Sequence, residues 1–326
     1  MRLLLRRFAD AVVLYWLVVT LTFLLLRAAP GDPATLLVPP TASAADAERL
    51  RAELGLDAPL VVQYARWTSG ALTGDLGQSF ASRRPVASVL ADALPVSLAL
   101  GLISLTLTFL IGVTLGFVQA ARRGGALDTT LTVATTAVFA APSFWLALTL
   151  IAICTYGAAA WGLPAAFRLP AFGMRDPASE ATGIAALGDI ARHAVLPVIT
   201  LTAIGAAGIA RYARTILADL MDLPFVRTAR AKGLPSRRVH SRHVLRAALP
   251  PLIVLFALSL PGVLAGSVFV ETVFAWPGMG RLMVTAIGAR DYPVVMGSTV
   301  LYGGLVILAN LLGDLALPLA DPRRRQ

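Results

Sequence analysis

ALPVSLALGLISLTLTFLIGVTLGFVQAA, residues Ala93 to Ala121, runs for 29 residues without an Asp, Glu, Lys or Arg. As an α-helix rising about 1.5 Å per residue it would outreach the hydrocarbon core of a bilayer, about 30 Å thick. Five further charge-free runs accompany it: Ala11–Leu26, Thr129–Phe167, His193–Ala210, Ala247–Val270 and Tyr292–Gly313. The first has 16 residues, and Asp10 and Arg27 at its ends can reach the interfaces and extend it. The third has 39, but Gly157, Gly162 and Pro164 end its apolar core after about one span. Six crossings are therefore expected, in an all-α polytopic membrane protein. Composition agrees: 57% of the 326 residues are hydrophobic and 14% charged, where soluble domains carry about 25% charged residues. Mean hydropathy is +0.75. A soluble core large enough to hide six such runs does not fit that charge deficit.

An even number of crossings puts both termini on one side, and the basic residues choose it. With the N-terminus inside, the inner segments (1–8, 120–130, 211–247 and 319–326) hold 17 Arg or Lys in 64 residues. The outer segments (28–94, 157–194 and 271–295) hold 10 in 130. Acidic residues run the other way, with 4 inside and 12 outside. The net charge of +10 is thus read as a topology signal rather than a nucleic-acid footprint, with both termini cytoplasmic. Arg2, Arg6 and Arg7 ahead of an apolar stretch resemble a signal peptide, but the Pro30 that follows disfavours cleavage, and a retained first helix is expected. Cys154 is the single cysteine, so no intrachain disulfide framework exists.

The chemistry carried by the chain is sparse. A phosphate-binding loop needs Gly-Lys-Ser or Gly-Lys-Thr opening a helix, and the single lysine, Lys232, is followed by Gly233. Any ATP must be hydrolysed by another chain, and no cofactor is expected on this one. His193 sits at an outer membrane edge; His240 and His243 share a helix face in the inner loop, with no Cys or carboxylate at ligand spacing. No metal site and no catalytic constellation is expected. The six runs also lack the intramembrane charges typical of ion-driven carriers. Asn310 and Asp314, late in the last run, fit helix packing and interfacial hydration.

The inner loop, 211–247, is the most informative segment. In Asp222-Leu223-Pro224, Asp can cap a helix and Pro fits its first turn, while Gly233 supplies a left-handed stop. A short helix over Pro224–Lys232 is predicted, carrying small residues (Thr228, Ala229, Ala231) interleaved with Arg227, Arg230 and Lys232. After Leu234-Pro235, Ser236 is expected to cap a second helix, with Pro250-Pro251 marking entry into the fifth crossing. A rigid, bounded helix at the inner face suits force transmission from a docked partner; a basic loop attracted to anionic lipid is the alternative.

Val226-Arg227-Thr228-Ala229-Arg230-Ala231-Lys232-Gly233-Leu234, followed by Arg242-His243-Val244-Leu245-Arg246-Ala247-Ala248-Leu249-Pro250, resembles the cytoplasmic coupling loop of ABC importer permeases of the dipeptide/oligopeptide/nickel branch. The general importer pattern begins Glu-Ala-Ala; here Arg227 and Thr228 occupy the Glu and first Ala positions, so a glutamate-mediated contact is not carried over. The resemblance extends along nearly the whole chain. Phe23–Leu26 leading to Pro30-Gly31-Asp32-Pro33, Leu54-Gly55-Leu56-Asp57 with Pro59-Leu60 and Gln63-Tyr64, and Gly74-Asp75-Leu76-Gly77 with Ser79 are similar to the first (B-type) permease of such systems. So are Glu271-Thr272-Val273-Phe274 with Trp276-Pro277-Gly278-Met279-Gly280, and Arg290-Asp291-Tyr292-Pro293.

The resemblance implies the type I importer transmembrane fold and a peptide-importing assembly in the inner (cytoplasmic) membrane. Its other parts would be a second related permease, two cytoplasmic ATPase subunits and an extracytoplasmic solute-binding protein. It divides the chain into a first segment with the first crossing (1–27), an extracytoplasmic loop with short helices (28–94), a permease core (95–318) containing the coupling loop (211–247), and a basic tail (319–326). Arg227, Thr228, Ala229, Arg230, Ala231, Lys232, Gly233 and Leu234 would meet the ATPase. Ser43 is predicted to cap a helix through Leu50 and Leu54 that ends at Gly55; that loop would receive the binding protein or serve as a lid. Pro142, Pro261 and Gly262 interrupt helical bonding and are candidate bending points, packing being the alternative. Gly112, Gly116, Gly205 and Gly208 are expected to allow close helix contact. No substrate-binding residue is legible. Nickel chelates or other small solutes are alternative cargoes, and an ion-coupled carrier or a non-transporting assembly protein are the alternative classes.

Overall fold

The computed structural model describes residues 2–28, 43–53, 55–264 and 268–320. The Pro30–Pro33 motif, Leu54, the Pro261 side chain and the tail arginines Arg323–Arg325 lie outside what is described. Helices carry the fold: α1 (Arg2–Ala28), α2 (Ala44–Glu53), α3 (Leu60–Thr73), α4 (Val86–Ala121), α5 (Ala126–Ala140) and α6 (Ser143–Ile151). After α6 a π-helical segment (Ala152–Gly157) leads into α7 (Ala158–Ala160). Next come α8 (Gly183–Met221), α9 (Pro224–Ala231) and α10 (Ser236–Arg238), then a second π segment (Val239–Val244) that runs into α11 (Leu245–Leu264). The series ends with α12 (Val268–Val273), α13 (Met279–Gly288) and α14 (Tyr292–Ala320). Among the described residues, six stretches are long and apolar enough to cross a membrane: Ala9–Ala28, Val86–Ala121, Ser143–Ala160, Gly183–Met221, Ser236–Leu260 and Tyr292–Leu311.

Three expectations change. The third run does not hold one crossing that starts near Thr129. Its helix breaks at Ala141 and Pro142, both extended (ψ 132° and 138°), because a proline disfavours the helical conformation of the residue before it and lacks the N–H that would continue the ladder. The spanning stretch is therefore Ser143–Ala160, preceded by the 15-residue α5. The fifth crossing does not begin at Pro250-Pro251 either: the helix starts at Ser236 and carries both prolines in its interior. Buried or lipid-facing helices tolerate such prolines because neighbouring groups and local π adjustments re-satisfy the freed carbonyls. The fourth helix outgrows its charge-free run at both ends, to 39 residues.

The chain forms two compact units. The first comprises 1–97 and 277–307. In it α1 packs on α14: a side chain at Gly303 would come 2.7 Å from the Tyr15 ring, and Tyr15 Oη donates to the Val300 carbonyl at 3.2 Å. α3 joins α1 through Thr20 and Tyr64, whose hydroxyls lie 2.6 Å apart, and through the edge-to-face pair Phe23–Tyr64. α2 starts as predicted, with a reciprocal cap: the Asp46 amide donates to Ser43 Oγ at 3.3 Å and the Ser43 amide to Asp46 Oδ2 at 3.0 Å. Gly55, at φ +64°, follows its end. The buried Ser97 hydroxyl accepts the Met279 amide at 2.7 Å, satisfying a first-turn donor of α13. Asp291, also buried, accepts from Ser79 Oγ and from the Phe80 and Ala81 amides, holding the turn after α3.

The second unit comprises 98–276 and 308–326. Its centre is α8, half of whose most apolar window is buried, against 11% for α1. α4 lies against α8 at near-backbone distance. A Cβ at Gly112 would meet Ile209 Cβ at 2.7 Å, one at Gly116 the Ala210 carbonyl at 2.6 Å, and one at Gly205 the Thr108 hydroxyl at 2.7 Å. The packing role expected for these glycines is what the helices show. At Gly208 the nearest atom is a ring carbon of Phe139, 3.2 Å away.

Candidate coupling site

α9 occupies the corner between α8 and the α10–α11 helix. α8 ends at Met221 with Asp222 as its C-cap, and Pro224 takes the first position of α9, where its missing N–H costs nothing. Asp222 does not cap α9 as expected. Leu223 is the N-cap residue, with no side-chain cap bond, and the Asp222 carboxylate is drawn instead to Arg123 at 3.2 Å, on the turn after α4. Ser236 likewise lies inside the first turn of α10, behind an N-cap Pro235 without a side-chain cap.

The end of α9 matches the expectation. Gly233 adopts φ +77°, its amide donates to Arg230 O at 2.9 Å, and the Leu234 amide reaches back to Ala229 O at 3.3 Å. This pair of bonds is the Schellman arrangement, and it requires a residue comfortable in the left-handed region. Leu234 then packs against the neighbouring core.

The faces of α9 are sharply divided. Val226 (0% exposed) and Ala229 (6%) point into a core built from Ala213 and Leu217 of α8, Val239 and Val244 of the π segment, and Ala248 and Leu252 of α11. Ala229, counted among the outward small residues from sequence, thus belongs to the anchor. Burying one valine side chain contributes about 1.5–3 kcal/mol. On the opposite side Arg227, Thr228, Arg230, Ala231 and Lys232 are exposed, together with Phe225. Arg230 and Lys232 stand near the C-terminal end, where cations complement the helix dipole.

A buried ion pair braces the same corner. Arg214 of α8 holds Asp128 of α5 with two bonds of 2.7 Å; the Gly124 amide adds a third at 3.0 Å. Asp128 is buried, and the Arg214 guanidinium brings its carboxyl down to about 2 despite that burial. Sequence reading missed this pair, and also Arg123–Asp222, because partners 86 and 99 residues apart carry no local signature. Among the proposed hinges, Pro142 stands between two helices. Gly262 lies in the last turn of α11, where a side chain would meet nothing within 4 Å.

Among the described residues, a mostly helical fold with six membrane-length stretches and a bounded basic helix set on its own apolar core defines a polytopic membrane protein. It belongs to the family described as binding-protein-dependent transport system inner membrane component, matched over residues 112–326, and residues 1–101 match that family's N-terminal component. The oligopeptide transport system permease protein AppB of Bacillus subtilis (strain 168) is 36% identical over 304 residues, which cover 93% of this chain and 92% of that one. The probable D,D-dipeptide transport system permease protein DdpB of Escherichia coli (strain K12) is 38% identical over 317 residues, with coverages of 94% and 92%. Two structures of the inward-facing MetNI methionine ABC transporter superpose with TM-scores of 0.51 and 0.54 at 19% and 20% identity. They cover 72% of this chain and 96% of theirs, and share its fold.

Proposed function

We propose that this chain is a membrane-spanning permease subunit of an ATP-driven peptide importer in the cytoplasmic membrane, with both termini cytoplasmic. A second related permease completes the pathway, two ATPase subunits bind and hydrolyse the ATP, and an extracytoplasmic binding protein delivers cargo to the 28–94 segment. The reading is supported by relatives named for oligopeptide and dipeptide transport. Its mechanistic part rests on one observation: α9 is gripped from behind by Val226 and Ala229 while its cationic side stays open. Closure of the ATPases pushes on Arg227–Leu234, and the push reaches α8 and α11 through that grip. The bundle then alternates between outward and inward access, with Pro142, Pro261 and Gly262 absorbing the bending.

The test is charge reversal, Arg227→Glu with Lys232→Glu, in the complete assembly reconstituted in proteoliposomes. Uptake and its coupling to ATP hydrolysis should both fall while the subunits still co-purify. Undiminished uptake by an intact assembly overturns the coupling assignment.

A further inference from the structure

Within the first unit lies an open cavity of about 400 Å³ with a mixed charged and apolar lining, inside the range of about 300–1,000 Å³ that accommodates small-molecule ligands. Three arginines, Arg27, Arg66 and Arg83, and two acidic residues, Glu53 and Asp75, are among the residues that line it. A smaller apolar cavity of about 60 Å³ has Arg27, Trp67, Phe80 and Pro293 in common with it, and is otherwise walled by Phe23, Leu26, Tyr292 and Met296. The two are neighbouring compartments, one charged and one greasy.

Arg27 stands at their junction in an unusual state. Its guanidinium lies 5.4 Å from the Phe23 ring centre and 5.5 Å from that of Tyr292. It makes no ion pair among the described residues. Flanking rings hold a cation in place but satisfy few of its five N–H donors. Two wall residues also carry buried polar atoms without a partner, Gln63 Oε1 and Trp67 Nε1. The Gln63 side chain is itself more than nine-tenths buried, fixed through its amide nitrogen to the carbonyls of Leu56 and Ala58. With its N–H donors short of acceptors beside a cavity of this size, Arg27 suits an anionic ligand group.

We propose that this cavity is a binding subsite for a short zwitterionic peptide, which Arg27 recognises through its C-terminal carboxylate. Glu53 and Asp75 receive the N-terminal ammonium, and the apolar compartment takes one small aliphatic side chain. The excess of one positive charge in the wall selects a carboxylate, while the two acids disfavour a plain inorganic anion. The assignment deepens the peptide-import reading and rests on it: the subsite would hold cargo on the extracytoplasmic side between its release from the binding protein and its passage inward.

The test uses the complete permease–ATPase assembly in lipid nanodiscs without its binding protein, titrated calorimetrically with Ala-Val, its C-terminal amide, Ala-Gly and inorganic phosphate. Ala-Val should bind saturably, about tenfold or more tighter than the amide, since a hydrogen bond to a charged group typically counts for about 1.5–3 kcal/mol. Ala-Gly should bind more weakly than Ala-Val. Arg27→Gln should weaken Ala-Val to the level of the amide, and the ligand series tests carboxylate recognition in the unaltered protein as well. Equal binding of acid and amide, competition by phosphate as effective as by Ala-Val, or no saturation below roughly 10 mM overturns the subsite. ATP-dependent uptake of short peptides by the full system with its binding protein is measured in parallel. Uptake without receptor-free binding sinks the subsite alone, whereas absence of any peptide uptake sinks the import reading.

Discussion

Asp291 Oδ2 accepts the Ser79 hydroxyl at 2.5 Å across 212 residues of sequence, and the same carboxylate takes the amides of Phe80 at 3.0 Å and Ala81 at 3.1 Å. Non-glycine residues at positive φ stand on both sides of this knot, Arg83 at 57° and Arg290 at 53°. A left-handed conformation at such a residue costs about 1–2 kcal/mol, so the knot holds a strained turn against the start of α14. Asp291→Ala should leave three donors unsatisfied and destabilise the detergent-purified protein by about 2–4 kcal/mol. It should also open the bonds after Ser79 to limited proteolysis, read by thermal unfolding and mass spectrometry of the fragments.

The contact of α4 with α8 predicts a steep size limit at Gly116. A single added carbon would stand 2.6 Å from the Ala210 carbonyl and 2.7 Å from Ala213 Cβ, backbone and a side-chain stub that cannot swing away. Gly116→Ala should cost about 1–3 kcal/mol and Gly116→Val more. Gly262→Ala meets open space and should stabilise by about 1 kcal/mol through helix propensity. If Gly262 is a bending point, that better-folded variant will nonetheless import more slowly.

Gly233 separates conformation from space. A side chain there would touch nothing within 4 Å, yet φ is +77°. Gly233→Val should therefore cost about 1–2 kcal/mol through backbone strain alone, with Gly233→Asn milder. The loss should appear as fraying of α9, measurable by faster amide exchange at Gly233 and Leu234, and as weaker coupling of hydrolysis to uptake.

The Asp128–Arg214 pair makes a pH prediction with a definite sign. The Asp128 carboxyl sits at about 2 when folded, against about 3.9 for an unperturbed aspartate. Its contribution is present in full above about pH 4 and disappears as pH falls toward 2. Asp128→Asn should thus lower stability by roughly 2 kcal/mol, with no change in that difference between pH 5 and 8. Thermal unfolding of the purified protein at graded pH should show the two forms converging only below about pH 4.

What could be read in advance divides along physical lines. The six long apolar runs, the Ser43 cap and the Gly233 stop are local features, encoded in a few adjacent residues, and each is found in the structure, although the third, fourth and fifth crossings have other bounds than their charge-free runs. Ionised side chains were harder, because a polar residue at a helix start can cap it or reach across space. Asp222 reaches Arg123 instead of capping, and Asp128 pairs with Arg214, 86 residues away, where nothing local marks the partner. Prolines proved ambiguous in the same sense. Pro142 breaks a helix outright, whereas Pro197 and the Pro250-Pro251 pair are absorbed within helices. Only the surroundings decide which outcome prevails. The Arg27 cavity draws on α1, α3 and the start of α14, so no single stretch announces it.

The two-residue grip beneath α9 also sets the direction of load that this corner can bear. Close-packed side chains resist compression stiffly, since atoms already in contact cannot approach further, but separate once the dispersion contacts between them are drawn apart. Val226 and Ala229 seated on Leu217 and Val244 therefore behave as a thrust bearing rather than a hook. An inward shove on the cationic side travels into the bundle almost undiminished, while an outward tug is resisted chiefly by the chain segments at either end. Under the coupling proposal, a partner docked on this joint would do its work by pressing on α9 rather than by pulling it.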